Sequence, residues 1–219
     1  MFHDAQTFGP ELEVALAYAM GRDRPLLASF LGFDHALARA LAVASEPIVG
    51  QLRLAWWRDA LIAEPAVRSQ GNPQLTELSA HFGRHLGHLV SMVDGWEALL
   101  LAEPLDVVAI EAFATGRAEG WQVIANALGC KDDGTAVYQA GRLWALADLA
   151  SKLDDPGERD LVLGYANDLG TGLARFSRRL RPLAVLAVLS QRSIKERGTA
   201  LMSGRRSALT ALRVGLFGM

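Results

Sequence analysis

Glu46-Pro47-Ile48-Val49-Gly50-Gln51-Leu52-Arg53-Leu54-Ala55-Trp56-Trp57-Arg58-Asp59-Ala60-Leu61 is the stretch on which the reading of this chain turns. Its apolar residues recur every three or four positions, and Pro47 sits where a first helical turn tolerates proline, so the segment predicts an amphipathic helix. Ile48, Leu52, Trp56 and Leu61 are the expected inward residues. Arg53 and Trp57, four apart, share a face, whereas Trp56 lies about 100° away with Leu52 and Asp59. One tryptophan can then be core while the other stacks on an arginine. The plainer account is a helix whose aromatic residues fill space, with Arg53 and Arg58 in water.

The same spacing extends along nearly the whole chain. Ala and Leu dominate, β-branched residues are scarce, and no segment sustains a period of two. Asp23 and Pro25 open a helix through Leu26, Leu27, Phe30, Leu31, Phe33, Leu37 and Leu41 to about Ser45. Asn72-Pro73 opens another through Leu75, Leu78, Phe82 and Leu86, and a further helix covers about Leu89 to Leu101. Asp106 caps a long one through Val108, Phe113, Trp121 and Ile124 to Leu128, closed by Gly129. Helices over 134–153, 157–180, 182–196 and 206–217 complete about eight or nine. The 219 residues show no Gly/Ser-rich linker, low-complexity tract or internal repeat. The expected fold is all-α, with residues 1–219 forming a single-domain helical bundle.

Composition narrows the function classes. At 51% hydrophobic residues the chain can build a core, and the longest apolar runs, such as Leu183 to Leu189, fall well short of a membrane span. MFHDAQTFGPELE lacks the basic flank and apolar stretch of a signal peptide, so export is not expected. A single cysteine, Cys130, excludes an intramolecular disulfide and a Cys-rich zinc module, and fits a reducing compartment. The cytoplasm is the expected location, with peripheral contact at the inner face of the membrane as an extension of it.

The net charge of −2 hides a split: residues 175–219 carry ten basic side chains and one acid, against twelve basic and 23 acidic over 1–174. Such a tail can serve phosphate, nucleic acid or anionic lipid, or pair with the acidic body on folding. It is as apolar as the rest and reads as packed helix, which favours the internal use. Aromatic interleaving is limited to Phe176 and Phe217, so nucleic acid is not an expected partner.

EPIVGQLRLAWWRDAL, preceded by a Leu-rich helix with FDHALARAL, resembles the RLxWWRxAL region of short bacterial proteins in the squalene/phytoene synthase family, to which mitochondrial complex I assembly factors of that fold are related. SMVDGWEALL, FATGRAEG and GRLWALADLASKLDD are similar to further family segments, in the family's order, over about residues 25–160. The resemblance implies a bundle of the isoprenoid (trans-prenyl) synthase type. Its enzymes are implied to condense two prenyl diphosphates, using Mg²⁺ held by paired carboxylates on facing helices to neutralise the leaving group.

Carried over residue by residue, that machinery is broken. The first DxxxD falls on Ala38 and Ala42. In the second, the asparagine position is Asp148, the arginine is Ser151, the first aspartate is Lys152, and the second lands near Asp155-Pro156. A lysine where Mg²⁺ would lie repels it: at about 4 Å and an effective dielectric of about 20, two unit charges interact by about 4 kcal/mol. The plainer reading of Lys152 is an i,i+4 pair with Asp148 on an exposed face.

The expectation is therefore a non-catalytic squalene/phytoene synthase-like protein with a binding or assembly role, without cofactor, metal or catalytic residues. Arg53, Trp57, Arg58, Arg142, Asp148 and Lys152 are its candidate ligand-binding residues, for an isoprenoid or anionic phospholipid. The implied protein partner lies in respiratory-complex assembly. The alternative is an active prenyltransferase using Asp34, Asp148, Asp154 and Asp155. His81, His85 and His88, at i, i+4 and i+7, could present imidazoles to a metal, although a solvated face is the simpler account. No phosphate-binding glycine loop and no G-x-S-x-G elbow is present.

Overall fold

The computed structural model describes residues 8–42, 46–66, 68, 71–169 and 174–218, and every regular element among them is helical. The helices are α1 (Pro10–Ala17), α2 (Arg24–Ala42), α3 (Pro47–Ile62), α4 (Pro73–Phe82), α5 (Val90–Leu101), α6 (Val107–Ala127), α7 (Gly134–Lys152), α8 (Pro156–Asp168), α9 (Arg181–Lys195) and α10 (Gly204–Phe217). Short 3₁₀ stretches cover Gly83–Leu89 and Arg178–Leu180. Among the described residues no helix is long and apolar enough to cross a membrane.

Side-chain caps set four of the starts. Asn72, Asp106, Asp133 and Asp155 each accept a hydrogen bond from a backbone N–H of the following first turn, on Leu75, Ala109, Thr135 and Glu158. Two expected spans are altered. The run over 157–180 is α8 to Asp168, then backbone without regular structure over 174–177 and a single 3₁₀ turn; its residues 170–173 lie outside the described ones, as does the expected end of α2 at Ser45. The helix expected through Leu86 stops at Phe82, because Gly83 takes a φ of 49°, the left-handed region that glycine enters freely.

α6 is the axis of the bundle, packed along α5 on one side and α7 on the other. Glycines permit the close approach. A Cβ on Gly116 would collide with the Ser91 carbonyl, and one on Gly141 would lie 2.8 Å from the Cα of Ala118. Trp121 and Trp144, both fully buried, meet edge to face at 6.0 Å between ring centroids, and Phe30 of α2 joins Trp121 at 5.2 Å. α9 packs against α7, with α10 and α1 outside it.

α3 buries Leu61 as expected but turns the other three expected inward residues to the surface. Gly50, Leu54, Trp57, Ala60 and Leu61 are buried, while Ile48, Leu52 and Trp56 are exposed. Trp57, 6% exposed, packs edge to face on Phe33; Trp56 keeps 38% of its surface. Both stripes of this helix are apolar, so composition could not choose between them; the neighbours Phe33 and α5 do.

The basic tail divides in two. Arg179 donates two hydrogen bonds to Asp23, at 2.6 and 2.7 Å, and Arg197 reaches Asp160, so part of the charge does tie tail to body. Arg192 pairs within the tail, with Glu196. Arg205, Arg206 and Arg213 on α10 are exposed and, among the described residues, in no ion pair.

Candidate functional site

Two places in the bundle concentrate chemistry. The first is buried between α2, α6 and α7. Asp34, Arg117 and Asp148 come from those three helices, and all three are at most 5% exposed. The Arg117 guanidinium donates from Nε to Asp34 Oδ1 at 2.8 Å, from its second terminal nitrogen to Asp34 Oδ2, and from its first to Asp148 Oδ2 at 2.8 Å. Trp96 Nε1 donates to Asp34 Oδ1 at 3.0 Å. Three rings, Trp144, Phe113 and Trp96, face the guanidinium with centroids 4.3, 4.7 and 5.2 Å from its central carbon. Lys152, one turn beyond Asp148, completes the set from the surface at 2.8 Å, as the i,i+4 pairing expected, although Asp148 itself is buried.

The electrostatics follow from burial and partner. Desolvation alone would favour neutral forms, pulling Arg117 down and Asp148 up; the facing opposite charges outweigh it. Arg117 ends above the ordinary arginine value because of Asp34 and Asp148, and Asp148 ends below the usual carboxylate range because of Arg117 and Lys152. The set is one cation clamped between two carboxylates, with a second cation at its mouth.

A divalent ion implied by the family resemblance does not fit these residues. The inward carboxylates on α2 and α7 are already engaged by Arg117, and Ala38 and Ala42 offer no oxygen. Among the described residues no group of three His, Cys, Asp or Glu is placed to hold a metal. The histidines do not form one helical stripe: His81 is on α4, whereas His85 and His88 follow the break at Gly83, their rings 6.0 Å apart.

The second place is a surface groove of about 560 Å³ between α2 and α3. Ala36 and Ala40 of α2 form one wall, their small side chains leaving room for Val49, Leu52, Trp56 and the edge of Trp57 on the other. Arg39, Arg53 and Asn72 supply its polar atoms, and both arginines are exposed. An apolar floor with two cations at its margin suits a ligand with a hydrocarbon body and an anionic head.

The six expected ligand-binding residues fall in four environments. Arg53 and Trp57 line the groove. Arg58, on another side of α3, is tied to Asp94 and Glu97 of α5, each at 2.5 Å. Arg142 donates to the Tyr165 hydroxyl at 2.5 Å and lies against the Tyr138 and Tyr165 rings. Asp148 and Lys152 belong to the buried set. Sequence reasoning passed over Arg117, within the quoted FATGRAEG, and the groove residues Arg39 and Trp56. Arg117 had a signal: it is four residues from both Phe113 and Trp121 and therefore on the core stripe of α6.

No protein-family model matches the chain, and neither does a curated protein or a solved structure. The family reading therefore rests on the quoted sequence motifs alone.

Proposed function

We propose that this chain is a non-catalytic protein of the squalene/phytoene synthase type, with a binding or assembly role in the cytoplasm, and that its ligand is an isoprenoid or lipid with an anionic head held between α2 and α3. The observation that carries the reading is the Asp34–Arg117–Asp148 set. Carboxylates from two helices, the kind of group that prenyl diphosphate ionisation needs for Mg²⁺, are neutralised by an arginine of a third, α6. The groove supports the ligand class through Arg39, Arg53, Trp56 and Leu52. The assembly role, with a protein partner in respiratory-complex biogenesis, comes from the resemblance of RLAWWRDAL to the short branch of the family.

Tryptophan fluorescence tests it. Farnesyl thiodiphosphate, which cannot ionise readily, should quench Trp56 saturably without Mg²⁺, and Arg39→Gln with Arg53→Gln should weaken binding about tenfold through loss of charge-assisted hydrogen bonds. Binding that requires Mg²⁺, or that ignores both arginines, would overturn the proposal. Turnover of farnesyl diphosphate that vanished in Asp148→Ala would put the prenyltransferase reading ahead.

A further inference from the structure

α10 buries the small side of its helix and turns the large side outward. Ser207, Ala211 and Val214 are its buried residues, and a Cβ on Gly215 would run into the Tyr18 ring. Leu209, Leu216 and Phe217 keep 64%, 58% and 67% of their surface exposed, and Leu212 keeps 48%. A helix packed on a water-soluble body ordinarily does the reverse. The contact at Gly215 fixes the rotation, since turning the leucines inward would drive them into the space Tyr18 occupies.

Leu209, Leu212 and Leu216 stand at i, i+3 and i+7, one continuous stripe opposite the buried residues. Arg205, Arg206 and Arg213 border that stripe, are exposed, and make no ion pair among the described residues. The helix, GRRSALTALRVGLF, contains no acid. With Arg175 and Arg178, they are the tail arginines that are exposed and in no ion pair among the described residues.

We infer that α10 is an interfacial helix by which the protein docks on an anionic lipid bilayer. Leu209, Leu212, Leu216 and Phe217 enter the boundary between headgroups and acyl chains, and the three guanidinium groups meet lipid phosphates. At 14 residues and about 1.5 Å per residue the helix is about 21 Å long, so it lies along the surface rather than across it. Charge complementarity selects this occupant. The centre of a protein–protein interface is depleted of charge, whereas unpaired arginines beside an aliphatic stripe match phosphates above hydrocarbon. The inference stands on α10 alone and does not depend on what the α2–α3 groove binds.

Vesicle co-sedimentation decides it, using phosphatidylcholine vesicles with and without phosphatidylglycerol. The protein should pellet with the anionic vesicles, stay in solution with the neutral ones, and release as ionic strength rises. Leu209→Glu with Leu216→Glu should weaken binding about tenfold or more, and Arg205→Gln with Arg206→Gln and Arg213→Gln should remove the preference for phosphatidylglycerol, while both variants keep the parent's helical spectrum and melting temperature. Failure of the parent to pellet with anionic vesicles, or equal pelleting of the Leu209→Glu, Leu216→Glu variant, would overturn the inference. So would a dimer in solution that this variant dissociates, which would make the face a contact between copies of the chain.

Discussion

The sealed centre at α2, α6 and α7 and the open groove between α2 and α3 use the same kinds of side chain to opposite ends. In the centre, Arg117 is enclosed by two carboxylates and three aromatic rings, and every charge has a partner inside the protein. At the groove, Arg39 and Arg53 stand beside apolar residues with their head groups in water. A charge satisfied internally contributes to the fold and is lost to chemistry; a charge left at an apolar margin is available to a ligand. Their difference separates a binding reading from a catalytic one, and it can be broken at several points.

The largest effect is expected at Arg117. Arg117→Met leaves Asp34 with only the Trp96 N–H and Asp148 with only Lys152, and should cost about 3–5 kcal/mol, a fall of roughly 6–20 °C in melting temperature for a domain of this size. Adding Asp34→Leu and Asp148→Leu should restore most of it, because well-packed apolar groups often replace a buried ion set at no net cost. A triple variant as unstable as Arg117→Met alone would show that the set does more than neutralise itself.

Trp57→Ala should cost about 3 kcal/mol, the low end for a buried aromatic, since the groove beside it lets the site relax. Trp56→Ala should cost about 1 kcal/mol or less but dull the fluorescence response to ligand. Denaturant unfolding of the two variants checks the orientation of α3, and equal losses would contradict it.

Acid titration should sharpen the contrast further. Asp148 and Asp23 have folded values below their unfolded ones, Asp23 chiefly through its hydrogen bonds from Arg179. Each therefore binds its proton more readily when unfolded, so its stabilisation is full above about pH 4 to 5 and is lost as pH falls through the depressed folded values. Unfolding free energy should be flat towards neutrality on this account and drop below about pH 4. The drop should shrink in Asp23→Asn, whose baseline stability is already lower. Smallest is Lys152→Ala: the ammonium is 61% exposed, and its pair with Asp148 should be worth about 0.5 kcal/mol.

How far the sequence could be read depended on whether a local rule or a tertiary choice decided each feature. Asn72 and Asp106 cap helices by contacts within four residues, so their role was legible. The rotation of α3 was not, because Leu52 and Trp56 are as apolar as Leu54 and Trp57, and only Phe33 and α5 select the buried pair. α1 is eight residues with little contrast between its faces, and left no periodic signal. The buried set lay between these cases. Asp34 is four from Phe30, Arg117 four from Phe113 and Trp121, and Asp148 four from Trp144, so each charge sat on the apolar stripe of its helix. Asp34 and Asp148 were among the expected candidates; Arg117, the cation that joins them, was not, because no local rule pairs charges from three separate helices.

Isothermal titration of Mg²⁺ into the protein, with and without farnesyl thiodiphosphate, and repeated on Asp148→Ala, tests the central claim most directly. With Asp34 and Asp148 held by Arg117, Mg²⁺ should give no saturable heat, and the analogue should bind with the same affinity whether or not the metal is present. Tight Mg²⁺ binding that appears only with the analogue and disappears in Asp148→Ala would contradict the account, because Arg117 would then yield its carboxylates to a metal and the centre would be an active site.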